Sequence, residues 1–430
     1  MVAVEELSKP QMARRRVSGV VAIKRAFRAV VSTVCSFEAL FVLYLFAGRF
    51  KGDPRFQWVP VDLTALFFGL SVAAGICVLA RRGFRVRREA FVLVLLALAF
   101  AAYVVASLVW TPSQVYARQK ALYISTLTLW PLIACAVIIA QDQRRLVRFL
   151  VLVLLFSGWI AIESTMVYLR ASFHWFIYAL GSGYLGLGRV VGLGASIVLA
   201  YGLFFAQRPL QKAAASVLFG YYVFVLLILG GRGPFLAALL GASVPLLTGV
   251  RLSPSNGVFL RRYTIPLLWI GVAGVGVATY LYTTGAATMT LGRLFALFRS
   301  VSEGSAGVRL WGFTNAIALW FKAPLFGQGI GAFPVLVGNI DQRLYPHNLI
   351  LEILAELGVV GLFLYGAMLS YVFWALGPLS LIRRDPFRML ILMLFVNVFV
   401  NAMVSGDIPD NRLLFGILGL MTLPRREGNG

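Results

Sequence analysis

The polar run YPHNLILEILAELGVVG, at residues 345–361, concentrates side chains suited to acid–base chemistry. His347 follows a proline, and a lone imidazole has a pKa suited to general-base work near neutral pH. Asn348 is well placed to cap a helix, on which Glu352 and Glu356, four residues apart, share one face. An ionisable side chain within a membrane span indicates a functional site, or else a buried pair that fixes helix packing. We predict a functional role for His347 and a structural one for Glu356; both roles stay open for Glu352.

Three arginines form a second group. Arg189 lies within GLGRVVGLG, Arg232 lies within GGRGP, and Arg309 opens a helical segment. The planar guanidinium binds phosphate oxygens in pairs, and flanking glycines let a ligand approach closely. Any one of these arginines is explained equally well by snorkelling towards lipid headgroups. Three on one side, together with His347, predict a phosphate-bearing substrate, although no glycine stretch is a nucleotide motif.

The third group is the short run SGDIPDNR, at residues 405–412. Asp407, Asp410 and Arg412 are predicted either to pair with the arginines above or to bind a sugar. The alternative is a solvated turn, because the run is rich in turn-forming residues.

The remaining titratable residues carry weaker signals. Glu38 and Glu163 lie in apolar segments and are either helix-packing pairs or site residues. Three cysteines without motif spacing are predicted to pack in the membrane, and only two histidines are present, so we expect no protein-held zinc site. A Mg²⁺ bound by carboxylates is the alternative, but no motif supports it, and we predict no metal ligands. The other histidine, His174, has no assigned role.

The composition sets the class of protein that must position these side chains. Of 430 residues, 60% are hydrophobic and 13% are charged, and the mean hydropathy is +0.86. Soluble domains carry about 25% charged residues, so a soluble enzyme, a disordered chain and a disulfide-stapled module are excluded. The prediction is an all-α polytopic membrane protein with about twelve transmembrane helices. The apolar segments are 29–48, 62–80, 90–110, 121–140, 149–169, 190–206, 213–230, 235–250, 264–282, 348–376, 388–404 and 412–424.

The charge distribution orients these segments. The net charge is +23, and 25 of the 39 Lys and Arg residues fall in the termini and in alternate loops. By the positive-inside rule, these loops and both termini are cytoplasmic. The other 14 basic residues fall on the outer side, where some are lipid contacts at helix ends and the rest suggest an anionic ligand. They are Arg49, Lys51, Arg55, Arg118, Lys120, Arg170, Arg189, Arg232, Arg293, Arg299, Arg309, Lys322, Arg343 and Arg412.

We divide the chain into five parts along this topology. A basic cytoplasmic N-terminus (1–28) precedes transmembrane helices 1–9 (29–282). A large periplasmic loop (283–347) follows, in which residues 305–322 have the apolar spacing of an interfacial helix. Transmembrane helices 10–12 (348–424) and a cytoplasmic tail (425–430) complete the chain.

The run from Arg309 through PLFGQGIGAF to HNLILEILAELGVVG resembles the signature region of the O-antigen ligase and polymerase family. GYLGLGR and GGRGP are similar, less specifically, to two earlier arginine positions of that family. The resemblance implies a glycosyltransferase of the GT-C type at the periplasmic face of a bacterial inner membrane. Such enzymes move a glycan from undecaprenyl diphosphate to an acceptor sugar hydroxyl, and they are regarded as inverting, metal-independent and without a cofactor.

The resemblance also implies roles for individual residues. Arg189 and Arg309 would hold the donor diphosphate, and Arg232 is a less specific match with a structural alternative. His347 would activate the acceptor hydroxyl or hold the leaving group, with Glu352 orienting it. Asn348, Glu356, Asp407, Asp410 and Arg412 remain acceptor-binding or structural residues.

The acceptor is not determined by the resemblance. The short spacing from Arg309 to His347 favours a repeat-unit polymerase of O-antigen or exopolysaccharide, and the alternative is a ligase acting on lipid A-core. The expected partners are the lipid-linked glycan, the acceptor glycan and membrane lipids, without nucleic acid. A twelve-span transporter or flippase is the rival class, but its site would lie at the membrane midplane, whereas these polar residues gather at one face. A non-catalytic scaffold is a third class, and it would not need His347.

Overall fold

The fold is built almost wholly of helices long enough to cross a bilayer. The computed structural model describes residues 36–170, 176–253, 257–260, 288–299 and 304–424, with single positions at 276, 279, 280 and 283. Within these residues, eight helices have the length and apolar composition of a membrane span. They are Leu63–Arg81, Arg88–Val109, Tyr116–Ile139, Gln143–Arg170, Tyr184–Phe205, Pro209–Ile228, Leu349–Leu376 and Pro386–Val404. The all-α polytopic class predicted from the sequence is therefore confirmed.

The predicted segments outside those eight correspond to shorter helices. The first, eighth and twelfth segments overlap Phe37–Phe46, Arg232–Gly249 and Arg412–Leu420. The ninth segment, the 1–28 and 425–430 termini and His174 lie outside the described residues, apart from single positions of the ninth. The predicted loop helix is present as Gly304–Lys322, flanked by Thr288–Arg299 and Ala332–Gly338.

The remaining elements are short. A four-residue helix is Leu379–Ile382, and 3-10 turns lie at Ala47–Arg49, Pro54–Phe56, Ser107–Val109 and Ile408–Asn411. Of three π-helical turns, Ile124–Thr128 lies within a long helix, and Cys135–Ile139 and Tyr201–Phe205 end long helices. Two antiparallel hairpins pair Tyr178–Ala179 with Ser182–Gly183 and Val250–Ser253 with Gly257–Leu260.

The helix that begins at Tyr184 is the most deeply buried of the eight, and its glycines explain why. A Cβ at Gly188 would lie 2.8 Å from Pro234, and one at Gly194 would lie 2.3 Å from the Ser157 hydroxyl. Small residues let membrane helices approach closely, so this helix packs against four neighbours. The neighbours are Gln143–Arg170, Pro209–Ile228, Arg232–Gly249 and Pro386–Val404.

The sequence left open whether Glu38 and Glu163 are packing residues or site residues. In the structure, each forms ion pairs near one end of the same helix. Glu38 is fully buried and accepts from Arg145 and Arg148, at 2.7 and 3.2 Å. Glu163 accepts from Arg55 at 2.8 Å and from the Trp159 indole. The helix Gln143–Arg170 thus has an ion pair near its start and another near its end, and both fix it against its neighbours.

The helix Leu349–Leu376, which we call the broken helix, is interrupted at Gly358. This glycine has φ 65° and ψ −163°, a conformation that side-chain-bearing residues avoid. Beyond the break, the amides of Val359 and Val360 donate to the carbonyls of Pro324 and Leu325, at 2.9 and 3.1 Å. A separate segment therefore supplies the hydrogen bonds that the helix loses.

That segment is the run PLFGQGIG at residues 324–331, which we call the glycine turn. Before the break, the amides of Gln328 and Gly329 donate to the carbonyls of Ala355 and Glu356, at 3.0 and 2.8 Å. The Tyr103 hydroxyl donates to the next carbonyl in the helix, at 3.1 Å. Backbone polar groups at membrane depth need such partners, so the glycine turn is a structural brace rather than a phosphate cradle.

Candidate functional site

His347 lies immediately before the broken helix, in a backbone conformation that is unusual for its type. Its φ is 62°, a left-handed conformation rarely adopted outside glycine, asparagine, aspartate and histidine. The Tyr345 ring packs edge-on against the imidazole, with the ring centres 4.6 Å apart. Its buried Nδ1 atom has no hydrogen-bond partner among the described residues. The imidazole therefore has one ring nitrogen that is free to accept a proton.

The electrostatic surroundings keep this imidazole neutral. Burial lowers the pKa of His347 from 6.5 to about 4, and the charges of Arg309, Arg189 and Arg343 act in the same direction. A cation at His347 would face three guanidiniums, so the neutral form is favoured at pH 7. The arrangement brings two of the predicted arginines to the predicted base and adds a third that was not predicted as a site residue.

Arg189 and Arg309 converge on the end of one helix. Arg189 donates to the carbonyl of Ser405 at 2.6 Å, and Arg309 donates to the carbonyl of Val404 at 2.7 Å. These carbonyls lie at the carboxyl end of the helix Pro386–Val404, where the helix dipole favours positive charge. Arg189 Nε is buried and has no hydrogen-bond partner among the described residues. The helix end thus holds both guanidiniums beside His347.

Arg232 lies in a different set of contacts, which favours the structural alternative for it. It donates to the carbonyl of Arg293 at 2.9 Å and to the Ser305 hydroxyl at 2.8 Å. Arg293 donates to the same hydroxyl at 3.0 Å and to the carbonyl of Gly230 at 2.6 Å. Together these bonds tie the turn before Arg232 to the loop helices.

Asn348 caps the broken helix, as predicted. Its Oδ1 accepts from the amide of Leu351 at 3.0 Å, and its Nδ2 donates to the carbonyl of Met403 at 3.1 Å. The second bond ties the start of the broken helix to the same helix end that holds the two arginines. Asn348 therefore positions the neighbouring His347 through the backbone.

The 405–412 run is not a solvated turn. Asp407 is 2% exposed; it pairs with Arg343 at 3.1 Å and accepts from the Tyr116 hydroxyl at 2.7 Å. Asp410 also pairs with Arg343. Although burial opposes it, the positive charges of Arg343 and Lys120 lower the pKa of Asp407, whereas burial and Asp407 raise the pKa of Asp410. The predicted pairing with arginine is present, but the partner is Arg343.

The two glutamates of the broken helix form a buried cluster with a lysine. Lys120 Nζ lies 2.5 Å from Glu352 Oε1 and 2.6 Å from Glu356 Oε2, and all three side chains are inaccessible to solvent. The structural role predicted for Glu356 fits this arrangement. Glu352 is not hydrogen-bonded to His347; its partners are Lys120 and the amide of Ile408. Direct orientation of the imidazole by Glu352 is therefore absent from this structure.

Lys120 and Arg343 were not singled out in the sequence, although both belong to the outer basic residues. Each has its acidic partners far along the chain, so no local pattern reveals the pairing. Their common signal is a basic residue among apolar or aromatic neighbours on the side where the arginines gather.

A cavity of about 460 Å³ lies beside these residues. Its walls come from the ends of several helices and from the 405–412 run. The polar side chains that line it are Arg49, Lys51, Thr64, Tyr116, Gln119, Lys120, Tyr123, Arg189, Arg343, Tyr345, Ser405, Asp407, Asp410 and Arg412. Basic side chains outnumber acidic ones, so the cavity is suited to an anionic ligand. The described residues contain no group of three or more His, Cys, Asp or Glu side chains arranged to hold a metal ion.

Comparison with known protein families gives a match over part of the chain. Residues 214–366 match the model of the family described as O-antigen ligase. The resemblance to the O-antigen ligase and polymerase family is confirmed. None of the curated proteins matches the chain. Over residues 214–366, the chain is therefore similar to the O-antigen ligase family.

The matched segment contains only part of the site. Arg232, Arg309, His347, Glu352 and Glu356 lie within it. The cavity residues Arg49, Lys120 and Arg189 lie before it, and the 405–412 run lies after it. The fold brings these separate segments together around the cavity.

Proposed function

We propose that this protein transfers a glycan from undecaprenyl diphosphate to an acceptor sugar hydroxyl at the periplasmic face of the bacterial inner membrane. The observation that carries the proposal is a neutral His347 with an unpartnered buried Nδ1, beside Arg189, Arg309 and Arg343. A base next to a cluster of guanidiniums matches the two needs of such a reaction. The acceptor hydroxyl must lose a proton, and the departing diphosphate must be stabilised.

The chemistry balances with these groups. The acceptor oxygen bonds to the anomeric carbon while the bond from that carbon to the diphosphate oxygen breaks. The acceptor proton passes to the His347 imidazole, and the released lipid diphosphate carries one more negative charge than the donor. Arg189 and Arg309 favour that charge, because a guanidinium binds an oxyanion more strongly as the charge on it grows. Attack from the face opposite the leaving group inverts the anomeric centre, and no metal or cofactor takes part in this scheme.

The donor raises the basicity of the imidazole. Three guanidiniums lower the pKa of His347 in the free protein, and a bound diphosphate neutralises part of their charge. The base is therefore weak in the absence of donor and stronger once the donor is in place. This coupling restrains proton uptake until the donor is bound.

Glu352 acts indirectly in this scheme. Through Lys120 and the amide of Ile408, it fixes the start of the broken helix against the 405–412 run. It is a positioning residue for the 405–412 run, in which Asp407 pairs with Arg343.

The experiment is a transfer assay with purified protein in nanodiscs, lipid-diphosphate-linked repeat unit as donor, and two acceptors offered separately. We expect product with a second lipid-linked repeat unit, as in a polymerase. Transfer to lipid A-core instead would identify a ligase. His347→Asn is the informative variant, because asparagine tolerates the left-handed backbone but has no titratable group. We expect His347→Asn to lower kcat by about a hundredfold or more, the usual contribution of a general base.

The controls separate this proposal from its rivals. Arg309→Gln is expected to reduce transfer without loss of folded protein, and EDTA is expected to leave the rate unchanged. If His347→Asn and Arg309→Gln both retain full activity, this site is wrong. If the wild-type protein moves the lipid-linked glycan across a vesicle membrane without forming a glycosidic bond, the protein is a flippase.

A further inference from the structure

Five arginines lie in one short loop between two membrane helices. The loop is the run RRGFRVRR at residues 81–88, which we call the arginine loop. Arg82 Nη2 lies 3.5 Å from Asp142 Oδ2, and Arg87 Nη2 lies 3.2 Å from Glu89 Oε2. The other three are Arg81, Arg85 and Arg88. These three side chains are exposed, and their guanidiniums form no ion pair or hydrogen bond with any residue that the structure describes. The arginine loop therefore presents three positive charges that these residues do not neutralise.

Phe84 lies at the tip of the arginine loop in a strained conformation. Its φ is 53°, which bulky residues avoid, and its side chain is 62% exposed. The amide of Phe84 donates to the carbonyl of Leu79 at 2.9 Å, and Gly83 before it has φ 63°. Glycine or asparagine would close this helix end with less strain. The exposed ring gains little packing that offsets its strain, which indicates a contact outside the protein.

The two flanking helices place the arginine loop at the perimeter of the molecule. The helix that ends at Arg81 is the least buried of the eight spans, and less than half of the helix that begins at Arg88 is buried. Both helices are apolar, so their uncovered faces meet the hydrocarbon of the bilayer. A loop that joins two such helices lies at the depth of the lipid headgroups, on the outside of the helix bundle.

Aromatic side chains of a neighbouring helix mark the same depth. Trp374 is exposed in the last turn of the broken helix, which packs against the helix Arg88–Val109. Tyr371 contacts the Trp374 ring, with the ring centres 5.6 Å apart, and interacts electrostatically with Arg88. Tryptophan and tyrosine are enriched where the hydrocarbon meets the headgroups. The arginine loop therefore faces the phosphate layer of one leaflet.

We propose that the arginine loop binds the headgroups of anionic phospholipids, with the Phe84 ring inserted among the acyl chains. Arg81, Arg85 and Arg88 are the phosphate ligands, because a planar guanidinium binds phosphate oxygens in pairs. Clustered arginines directly after a membrane helix attract anionic lipids. The exposed ring favours a lipid over an acidic protein or a nucleic acid, since a lipid offers an apolar phase beside its phosphate.

This inference does not rest on the proposed reaction. Arg82 donates to the carbonyl of Ile138, at the opposite end of the helix Tyr116–Ile139 from the cavity. The arginine loop and the cavity are therefore separate sites. A binding assay on the loop needs neither a glycan donor nor an acceptor.

The test counts lipids bound to the full-length protein in detergent by native mass spectrometry. The probes are cardiolipin and phosphatidylglycerol, which are anionic, phosphatidylethanolamine, which is zwitterionic, and soluble glycerol phosphate. We expect the two anionic lipids to bind most tightly and glycerol phosphate to bind weakly. Arg81→Gln, Arg85→Gln and Arg88→Gln combined in one variant are expected to raise the Kd for cardiolipin about tenfold or more.

The matched control removes the same charge from other regions that the charge distribution assigns to the same side. Arg144, Lys212 and Arg384 are exposed and form no ion pair with a described residue. Arg144→Gln, Lys212→Gln and Arg384→Gln combined are expected to leave the Kd for cardiolipin unchanged. Thermal unfolding checks both triple variants, and Arg85→Gln alone replaces the first if it does not fold.

Phe84→Asn separates a lipid contact from a structural role. Asparagine adopts the left-handed conformation with less strain, so the melting temperature without lipid is expected to stay the same or rise. The Kd for cardiolipin is expected to rise about fivefold, because the inserted ring is lost. A lower melting temperature with an unchanged Kd would show that the ring is structural and would overturn its part in the site.

The remaining outcomes are equally decisive. If the loop variant with three glutamines binds cardiolipin like the wild type, the inference is overturned. An equal loss in the control variant would show that general charge attracts the lipid, and it would overturn the inference too. Glycerol phosphate binding as tightly as cardiolipin would identify a site for free phosphate instead of a lipid.

Discussion

At the scale of single residues, the central fact is a weak base held among cations. His347 has a pKa of about 4 in the free protein, lowered from 6.5 by burial and by three arginines. In the proposed reaction, activity requires the neutral imidazole, so we expect it to be lost as the pH falls through that pKa. We expect kcat/KM, which reports the free protein, to fall only below about pH 5.

The bound donor is expected to change this profile. Its negative charge favours the imidazolium, so the acid limb of kcat, which reports the complex, shifts upwards towards pH 6.5. Rates at low and at saturating donor concentration, from about pH 3 to about pH 8 in steps of about half a unit, measure both limbs. His347→Asn should remove this limb from its residual rate. Coincident acid limbs for kcat and kcat/KM would contradict the coupling between donor and base.

The second prediction at this scale concerns Lys120. Its removal leaves two carboxylates buried against each other, and breaking a buried pair costs about 3–5 kcal/mol. We therefore expect Lys120→Met to lower the free energy of unfolding by about that amount. Adding Glu352→Gln and Glu356→Gln should restore most of the loss, since no buried charge then remains. Unfolding in mixed micelles with increasing dodecyl sulfate measures the difference.

An exposed pair on the same side is the control. Lys51 and Asp62 lie 2.6 Å apart, with 45% and 49% of their side chains exposed. Exposed ion pairs contribute about 0–1 kcal/mol, so Lys51→Met should have a small effect. A loss for Lys120→Met no larger than that for Lys51→Met would show that the cluster does not hold the fold together.

At the scale of elements, the broken helix and the glycine turn depend on each other. A Cβ at Gly358 would lie 2.3 Å from the carbonyl oxygen of Leu325, and its φ of 65° disfavours any side chain. We expect Gly358→Ala to cost about 1–3 kcal/mol for the backbone alone and more for the clash. Gly366 lies in the same helix with nothing within 4 Å of its Cβ position. Gly366→Ala should therefore be neutral or stabilising by up to about 1 kcal/mol.

The measurement for these two variants is thermal unfolding, together with the yield of monodisperse protein. Equal melting temperatures for Gly358→Ala and Gly366→Ala would show that the glycine turn does not brace the break. A lower melting temperature for Gly358→Ala alone supports the brace, because both substitutions add the same methyl group to one helix.

The elements were largely predictable because their signals are local. Runs of apolar residues predicted the spans, and Asn348 predicted a helix start because capping depends on four consecutive residues. The break at Gly358 was not predictable, since the glycine turn that satisfies it lies some thirty residues earlier and lacks periodicity. For the same reason Lys120 was missed, because its carboxylate partners lie 232 and 236 residues away.

The sequence predicted which residues belong to the candidate site better than it predicted their ion-pair partners. His347, Arg189 and Arg309 do come together, because their chemistry was evident from type and local glycines. The partner of Asp407 was not evident, because any arginine on the outer side could neutralise its charge. Only the fold places Arg343 next to it. Arg49 lies in a chain segment with no motif, so only the cavity indicates it.

At the scale of the whole molecule, one helix connects the candidate site with the predicted cytoplasmic end of the molecule. The helix Tyr116–Ile139 has 24 residues, which corresponds to about 36 Å, more than the hydrocarbon thickness of about 30 Å. At its first turn, Tyr116 contacts Asp407 in the site. At its last turn, the carbonyl of Ile138 accepts from Arg82, which also pairs with Asp142. The predicted cytoplasmic loops therefore meet one bilayer thickness away from His347.

This geometry makes the proposed orientation testable with two labels. Arg85 and Gln342 are exposed on opposite ends of the molecule, so Arg85→Cys and Gln342→Cys report the two sides of the membrane. Each is placed in a variant in which Cys35, Cys77 and Cys135 are replaced by alanine. In spheroplasts treated with a membrane-impermeant maleimide, we expect only Gln342→Cys to react, because the basic loop stays in the cytoplasm. Permeabilised membranes should label both. The reverse pattern would place His347 in the cytoplasm, where a periplasmic polymerase or ligase has no acceptor, and would overturn the proposed reaction together with the topology.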